Sequence, residues 1–394
     1  MTTAEDTILA FNSGSSSLKF GLFKPGAGDE QLLLEGSAEG IFRESGTIQI
    51  RSAAGDQFLA QDHVLESQHD ALTKVAAVLQ AHMPAPPVAV GHRLVHGGPH
   101  LRKHQQLTPE VIAELEAATH FAPIHIPQAL TLIRQAQEIF PGIPQFACFD
   151  TAFHRTMPEV AAHLPLPRRY FEAGVIRYGF HGLSYESLVY RLGNSLPRRA
   201  VFAHLGNGCS VAAVQDGKSI DTSMGLTPTG GVPMSTRSGD LDPGVLLYLM
   251  RTERLDAGAL EELLNRQCGL AAFSGGESDM QALLTRAASR DCEAELAIAA
   301  FCMAIRKYIG AYATLMGGID LLVFTGGIGQ HSHEIRSRIC EGLQFLGINP
   351  ADPAGGSVKA MPADEEAQIA RHCRELRGYS SQAHSHTGRG VRST

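Results

Sequence analysis

The chain reads as an α/β protein of two similar lobes with a cleft between them, and three observations predict this. First, the apolar run Ile8 to Phe11 leads into Asn12-Ser13-Gly14-Ser15-Ser16-Ser17-Leu18-Lys19, and the run Ala200 to Ala203 leads into His204-Leu205-Gly206-Asn207-Gly208-Cys209-Ser210. A strand, a small-residue turn rich in N–H donors and a second strand form a cradle for phosphate, because glycine and serine let the main chain approach an anion closely. Second, the strand pattern after residue 200 repeats the opening pattern of the chain. Third, 394 residues exceed what one hydrophobic core usually serves, so about two domains are expected. The first spans 1–150 with a C-terminal stretch, about 368–394, returning to it. The second spans 151–367 and includes a helical insertion.

Each element follows from local pattern. Residues 7–12 and 18–24 predict an antiparallel hairpin, and alternation around Ile48, Ile50 and Phe58 adds strand material over 46–60. Ala71, Leu72, Val75, Val78 and Leu79 fall at helical spacing, giving an amphipathic helix over 67–82 that Pro84 ends. A strand at 88–90 leads into Gly91-His92-Arg93-Leu94-Val95-His96-Gly97-Gly98. Thr108 and Pro109 supply a helix cap and first turn. Another helix is expected at about 127–140, then a strand at 145–149 that stops at Asp150. In the second half, strands at 200–206, 210–214 and 219–222 surround an Asp216-Gly217 hairpin turn. Helices dominate 243–316, with 296–316 long and apolar. Leu321 to Thr325 is a buried type of strand, followed by a glycine turn at 326–329 and a helix near 332–344. The polar residues after Ala383 read as a loose tail.

Composition narrows the function. The net charge of −7, without a lysine or arginine run, argues against nucleic-acid binding. The apolar run 296–305 is closed by Arg306 and Lys307, short of the roughly 20 residues a membrane span needs. Glu5 and Asp6 stand where a secretory signal would carry basic residues, so a cytoplasmic protein is expected. Seven cysteines without a C-x-x-C pair read as reduced, buried small side chains.

No Walker A motif is present, and Gly217-Lys218-Ser219 is a hairpin turn. Three glycine turns at strand ends, at 14, 206–208 and 326–329, therefore suggest a nucleotide gripped from both lobes. Arg93 and Arg237, the latter in Met234-Ser235-Thr236-Arg237-Ser238-Gly239-Asp240, are either surface ion pairs or forks for an anionic acceptor beside a phosphoryl group. His181, in Tyr178-Gly179-Phe180-His181-Gly182, is a further candidate donor. Asp150, directly after a buried strand, is either a turn cap or a carboxylate at the edge where open α/β sheets present ligands. Asn12 with Glu365-Glu366 is suited to hydrated Mg²⁺, although the acidic pair also reads as a solvated helix start.

Together NSGSSSLKF, GHRLVHGG, FDTAFH, YGFHG, HLGNG, TRSGDLDPG and FTGGIG, in this order, make the chain resemble the acetate kinases, within the superfamily of sugar kinases, heat-shock chaperone ATPases and actin. The resemblance covers about 7–375. It implies two ribonuclease-H-like (actin-like ATPase) domains, a homodimer, and reversible ATP-dependent phosphorylation of acetate to acetyl phosphate and ADP by direct transfer. It also implies roles. Asn12 and Glu365 would position Mg²⁺, which Mn²⁺ could replace. Lys19 would meet ATP and Arg93 would bind the carboxylate. Asp150 would be a proton donor or acceptor, with His181 and Arg237 stabilising the transition state. His204, Leu205, Gly206, Asn207 and Gly208 would contact phosphates. Asp279, Met280 and Gln281, with Gly326, Gly327, Ile328, Gly329 and Gln330, would surround the nucleoside. A carboxylate is already ionised near neutrality and needs cations more than a base, so Asp150 is expected to orient arginine or Mg²⁺. Propionate or butyrate kinases of the same architecture, and a non-enzymatic nucleotide-binding scaffold, are the alternatives.

Overall fold

The structure is a computed structural model that describes residues 6–14, 17–26, 29–41, 45–62, 65–349 and 357–378. Ser15 and Ser16 of the serine bend and the polar tail after Ala383 lie outside the described residues.

Two mixed sheets organise the chain. The first contains β1 (Ile8–Ser13), β2 (Ser17–Pro25), β3 (Glu30–Glu39), β4 (Thr47–Ser52), β5 (Gln57–Asp62), β6 (Ala89–Leu94), β7 (Gln105–Gln106) and β8 (Gln145–Phe149), in the order β5-β4-β3-β2-β1-β6-β8-β7. The second contains β9 (Arg199–Leu205), β10 (Cys209–Gln215), β11 (Lys218–Thr222), β12 (Leu321–Thr325) and β13 (Val358–Ala360), in the order β11-β10-β9-β12-β13. The run β3-β2-β1-β6-β8 and the whole second sheet match pairing for pairing: two antiparallel contacts, then two parallel ones. The repeated strand-turn-strand pattern thus encodes a duplicated unit, to which β4, β5 and β7 are additions in the first half.

Central strands are apolar on both faces because both faces are covered. In β1, Leu9 and Phe11 pack with Leu72, Val75 and Leu132 from the helices Gln68–His82 and His125–Ile139, while Ile8 and Ala10 pack with Ile369, Ala370 and Cys373 of the helix Glu365–Leu376. In β9, Val201 and Ala203 meet Ile298, Phe301 and Ile305 of the helix Cys292–Met316, while Ala200 and Phe202 meet Tyr185 and Leu188 of the helix Gly182–Leu192.

Capping is as the sequence predicts at Thr108, whose hydroxyl accepts from the Val111 N–H, and Ser67 caps the helix Gln68–His82 in the same way through the Asp70 N–H. Both Asp216 and Gly217 take left-handed backbone in the hairpin turn. Three expectations are corrected. Strand β3 has no counterpart among the predicted elements, because its burial does not alternate cleanly. The glycine turn at 326–329 is the first turn of a helix, Gly326–His331, with a second helix at His333–Cys340. The apolar segment at 296–305 belongs to a 25-residue helix that Asp291 caps and that continues through Arg306, whose guanidinium donates to the carbonyls of Ile339 and Arg338. By length and composition this helix could cross a membrane; here one side of it forms the core of the second lobe. All seven cysteines are free and five are buried.

Candidate active site

Parallel strands point their carboxyl ends the same way, and both sheets bring those ends to one place. Asn12 lies near the end of β1, Arg93 near the end of β6, and Asp150 directly after β8. In the second sheet His204 pairs with Thr325 across β9 and β12, so the turn 206–208 and Gly326 leave adjacent strand ends. A Cβ on Gly206 would lie 3.9 Å from the amide nitrogen of Gly327, which places two of the glycine segments side by side.

Arg93 is the hub of the first half. Its Nε and Nη2 donate to Asp150 Oδ2 at 2.9 and 2.6 Å, and its Nη1 donates to the Ser13 carbonyl at 3.2 Å. Burial works against the guanidinium, but Asp150, Glu365 and Glu366 more than offset it and raise its pKa. Asp150 is buried, and its pKa is raised by that burial against the pull of Arg93, with Glu365 adding to the rise. Among the described residues its Oδ1 has no hydrogen-bond partner. The Asn12 amide donates to Glu365 Oε2 and to Glu366 Oε1, both at 2.9 Å. Burial and the neighbouring Glu365 push the Glu366 carboxyl up. The expectation of a solvated helix start is therefore corrected: the pair opens a helix, but it faces Asn12 and Arg93.

The second half contributes His181 and Arg237. His181 holds a left-handed backbone at φ 61° immediately before the helix Gly182–Leu192, a conformation that costs a non-glycine residue about 1–3 kcal/mol. Its Nδ1 is 2.9 Å from Ser210 Oγ, and its ring stacks on His204 at 4.2 Å. Tyr185 donates to the Ser210 carbonyl at 3.0 Å, and its hydroxyl also meets Ser210 Oγ, whose own proton can go to Tyr185 or to His181 Nδ1. With the serine proton directed to Nδ1, the His181 proton sits on Nε2. Burial, then His204, Arg93 and Arg237, hold this imidazole well below its usual pKa, so it is a neutral N–H donor. A Cβ on Gly208 would sit 3.3 Å from His181 Nε2 and 3.6 Å from Arg237 Nη1, so glycine keeps open the space where these donors converge. Arg237 donates to the Pro228 carbonyl at 3.2 Å and, among the described residues, has no carboxylate partner. Burial and then Arg93 lower its pKa.

A cavity of about 480 Å³ opens beside this cluster, within the range of nucleotide-sized sites. Of the expected residues, Lys19, Gly206, Asn207, Asp279, Met280, Gln281, Gly327 and Ile328 line it. Asp279 also caps the helix Met280–Ala288. Leu205 is a correction: its side chain belongs to the second core, because alternation along β9 turns it inward. Gly329 is buried against Leu205, and Gln330 lies outside the cavity wall with its carbonyl accepting from Arg336 at 2.8 Å. Gly326 lies outside the wall as well, but its φ of 75° fits glycine, and a Cβ there would meet the Leu205 carbonyl at 2.6 Å. His204 stands between the halves, with Nδ1 2.8 Å from Ser184 Oγ. Sequence reasoning missed Ser235, Ser278, His331 and Ser332 in the cavity wall. It also passed over His125, whose pKa is lowered to about 4 by burial and then by Arg237 and Arg93. His125 differs little from a surface histidine in its local sequence; only the fold shows two arginines beside it.

The acetokinase family model matches residues 7–368. The acetate kinase of Methylocella silvestris is 41% identical over 394 residues, covering 93% of this chain and 96% of its own. That of Staphylococcus aureus is 38% identical over 393 residues, covering 92% and 97%. Among solved structures, the acetate kinase of Porphyromonas gingivalis matches with a TM-score of 0.83 at 34% identity, over 94% of this chain and all of the other. A propionate kinase from Francisella tularensis matches with a TM-score of 0.87, also at 34% identity and over the same shares.

Proposed function

The chain belongs to the acetokinase family, with its duplicated actin-like ATPase fold, and is a kinase that phosphorylates a carboxylate; we propose that its acceptor is acetate and its donor ATP. Acetyl phosphate and ADP are the products, and the reaction runs in either direction. The observation that carries this reading is the meeting of Arg93, Arg237 and the neutral His181 beside a glycine-walled cavity reached by both sheets.

The mechanism follows from charge. Acetate is an anion at neutral pH and must approach an anionic γ-phosphate, so cations do the main work. Arg93, held rigid by Asp150 and Ser13, fixes the acetate carboxylate. A carboxylate oxygen then forms the new O–P bond while the bridging bond to the β-phosphate breaks and its electron pair leaves with ADP. Arg237 and the His181 Nε2–H donate to the equatorial oxygens as charge redistributes over them. No proton is removed from the acceptor, so Asp150 serves Arg93 and does not act as an obligatory base. Lys19, Asn207 and the glycines at 206, 208 and 327 receive the phosphates, and Asp279, Met280, Gln281 and Ile328 border the nucleoside.

The carboxylates also fit Mg²⁺. Two glutamates share the Asn12 amide as donor, Glu366 is burdened by Glu365, and the buried Asp150 Oδ1 lacks a partner among the described residues, which together make a hard-oxygen set suited to a cation. Asn12 and Glu365, with Glu366, would hold the ion through its waters, and Mg²⁺ or Mn²⁺ would offset charge on the β- and γ-phosphates.

The two lobes close over the substrates as domains 1–150 with the C-terminal stretch from about 368, and 151–367, in a cytoplasmic homodimer. The helix Pro243–Thr252 supports a dimer: it has no buried residue and exposes Val245, Leu247, Tyr248 and Met250. Leu247→Asp with Tyr248→Asp should yield monomer by light scattering; an unchanged mass removes this helix from the interface.

One assay tests the activity. ADP release is followed with acetate, propionate or butyrate, and the acyl phosphate is trapped with hydroxylamine. Acetate should lead by about 10–200-fold in kcat/KM per extra methylene excluded. A lead for propionate would reassign the acceptor, and no ADP release with any of them would end the reading.

A further inference from the structure

Outside the active site, His104, Glu186 and His372 bring together three side chains of the metal-ligating type. His104 Nε2 lies 3.2 Å from both carboxylate oxygens of Glu186, and His372 Nε2 lies 2.8 Å from Oε2. The two imidazole rings are 3.9 Å apart. Two histidines and a glutamate are a common zinc set, but the proton positions argue otherwise. The Phe149 backbone N–H donates to His104 Nδ1 at 3.0 Å, so the proton of a neutral His104 sits on Nε2 and points at Glu186. A metal would need that lone pair. The cluster is a hydrogen-bonded carboxylate between two imidazole donors.

Its location gives it a task. Phe149 directly precedes Asp150. Glu186 lies on the helix Gly182–Leu192, which follows His181 and whose first N–H donates to the Asp150 carbonyl at 2.8 Å. His372 lies on the helix that opens with Glu365 and Glu366. The same strut reaches the site twice more, through Ser184 to His204 at 2.8 Å and through Ser187, which accepts from the Asp364 N–H at 3.3 Å. The geometry points to Glu186 as a positioning residue for phosphoryl transfer, a shared acceptor that locks together the three segments carrying Asp150, His181 and the Glu365–Glu366 pair.

Glu186 touches no reacting atom; it acts through the elements it ties. Burial alone would push its carboxyl up, yet the two histidines hold it down to about 2, and Glu186 in turn lifts His372 to about 10 against burial. Around His372 the facing groups are Glu186, Glu375, Cys148 and the Gln368 amide, 2.9 Å from Nε2, with the His104 ring stacked alongside. The tie is therefore charged and intact across the neutral range.

This inference rests on the carboxylate-kinase reading, and the experiment separates the two. Glu186→Gln keeps the size of the side chain and one acceptor but removes the charge. Its kcat for acetyl phosphate formation should fall by about 10–100-fold, the scale of a sub-ångström to 1 Å misplacement, with KM for acetate and ATP changed by less than about threefold. The Mg²⁺ concentration for half-maximal rate should rise, because the helix bearing Glu365 loses its anchor, and Glu186→Asp should recover part of kcat. A purely structural role would lower Tm and leave kcat and the Mg²⁺ dependence at 25 °C untouched, and that result would overturn the inference. So would stoichiometric zinc in the purified native enzyme whose removal abolishes turnover. Should Glu186→Gln fail to fold, His372→Gln carries the same comparison. A wild-type enzyme inactive toward every carboxylate would instead sink the parent reading.

Discussion

Arg237→Met should abolish turnover and leave a more stable protein. Arg237 is largely buried, its pKa is lowered by that burial, and no carboxylate among the described residues compensates it; it meets a backbone carbonyl and the Met234 sulfur. An uncompensated interior charge is a standing cost that a methionine of similar length removes, worth about 1–2 kcal/mol. The same cation is aimed at the gap above Gly208 with His181 Nε2, where transferring charge would accumulate. Arginines in that role contribute about 10³ to 10⁵ in kcat, so loss of that order with a modest change in KM for acetate is expected. Steady-state kinetics and thermal unfolding of the same preparation check both halves. A variant that keeps kcat within about tenfold of wild type removes Arg237 from the transition state.

Asp150→Ala should do the opposite to stability. It strips the buried Arg93 of the carboxylate that accepts from both Nε and Nη2, and breaking a buried pair costs about 3–5 kcal/mol. Arg93 then loses its fixed aim, and kcat/KM for acetate should drop by about 10²- to 10³-fold. Asp150→Asn retains an oxygen acceptor and should lose less. The pH dependence carries a sign. Burial raises the native pKa of Asp150 above its ordinary value, so between the two values the folded chain binds more protons than the unfolded one. Its contribution to stability accordingly falls as pH rises through that window and is most favourable below it. Activity behaves inversely: the acid limb of kcat/KM should lie above the usual aspartate range, where protonation loosens Arg93, and should vanish in Asp150→Asn. An acid limb that persists unchanged in Asp150→Asn belongs to another group.

Much of this architecture was legible in the chain because its signals are local. The duplicated cradle at 12–19 and 204–210 shows in strand, small-residue and strand order, and the two sheets repeat one pairing scheme from it. Arg93, Asp150 and Gly206 could be singled out because each stands at a strand end. What stayed hidden depends on long-range contacts. Glu186 meets His372 across 186 positions and His104 across 82, and His125 comes beside Arg237 and Arg93. Nothing near these residues in sequence distinguishes them from solvated charges. Leu205 was misplaced for a simpler reason: a motif names consecutive residues, while a strand turns alternate ones inward, so its neighbours Gly206 and His204 face the site and it does not.

The helix Glu365–Leu376, which covers Ile8, Ala10, Phe146 and Cys148, has a consequence for how the protein is made. Ribosomes add about 5–20 residues per second, so the opening strands wait on the order of tens of seconds for their cover. Through that interval one apolar side of the first sheet stays bare, a surface open to chaperones and to aggregation. A chain released before residue 365 would lack that cover together with Glu365 and Glu366, so premature termination yields a protein without one wall of its centre, not a weaker enzyme.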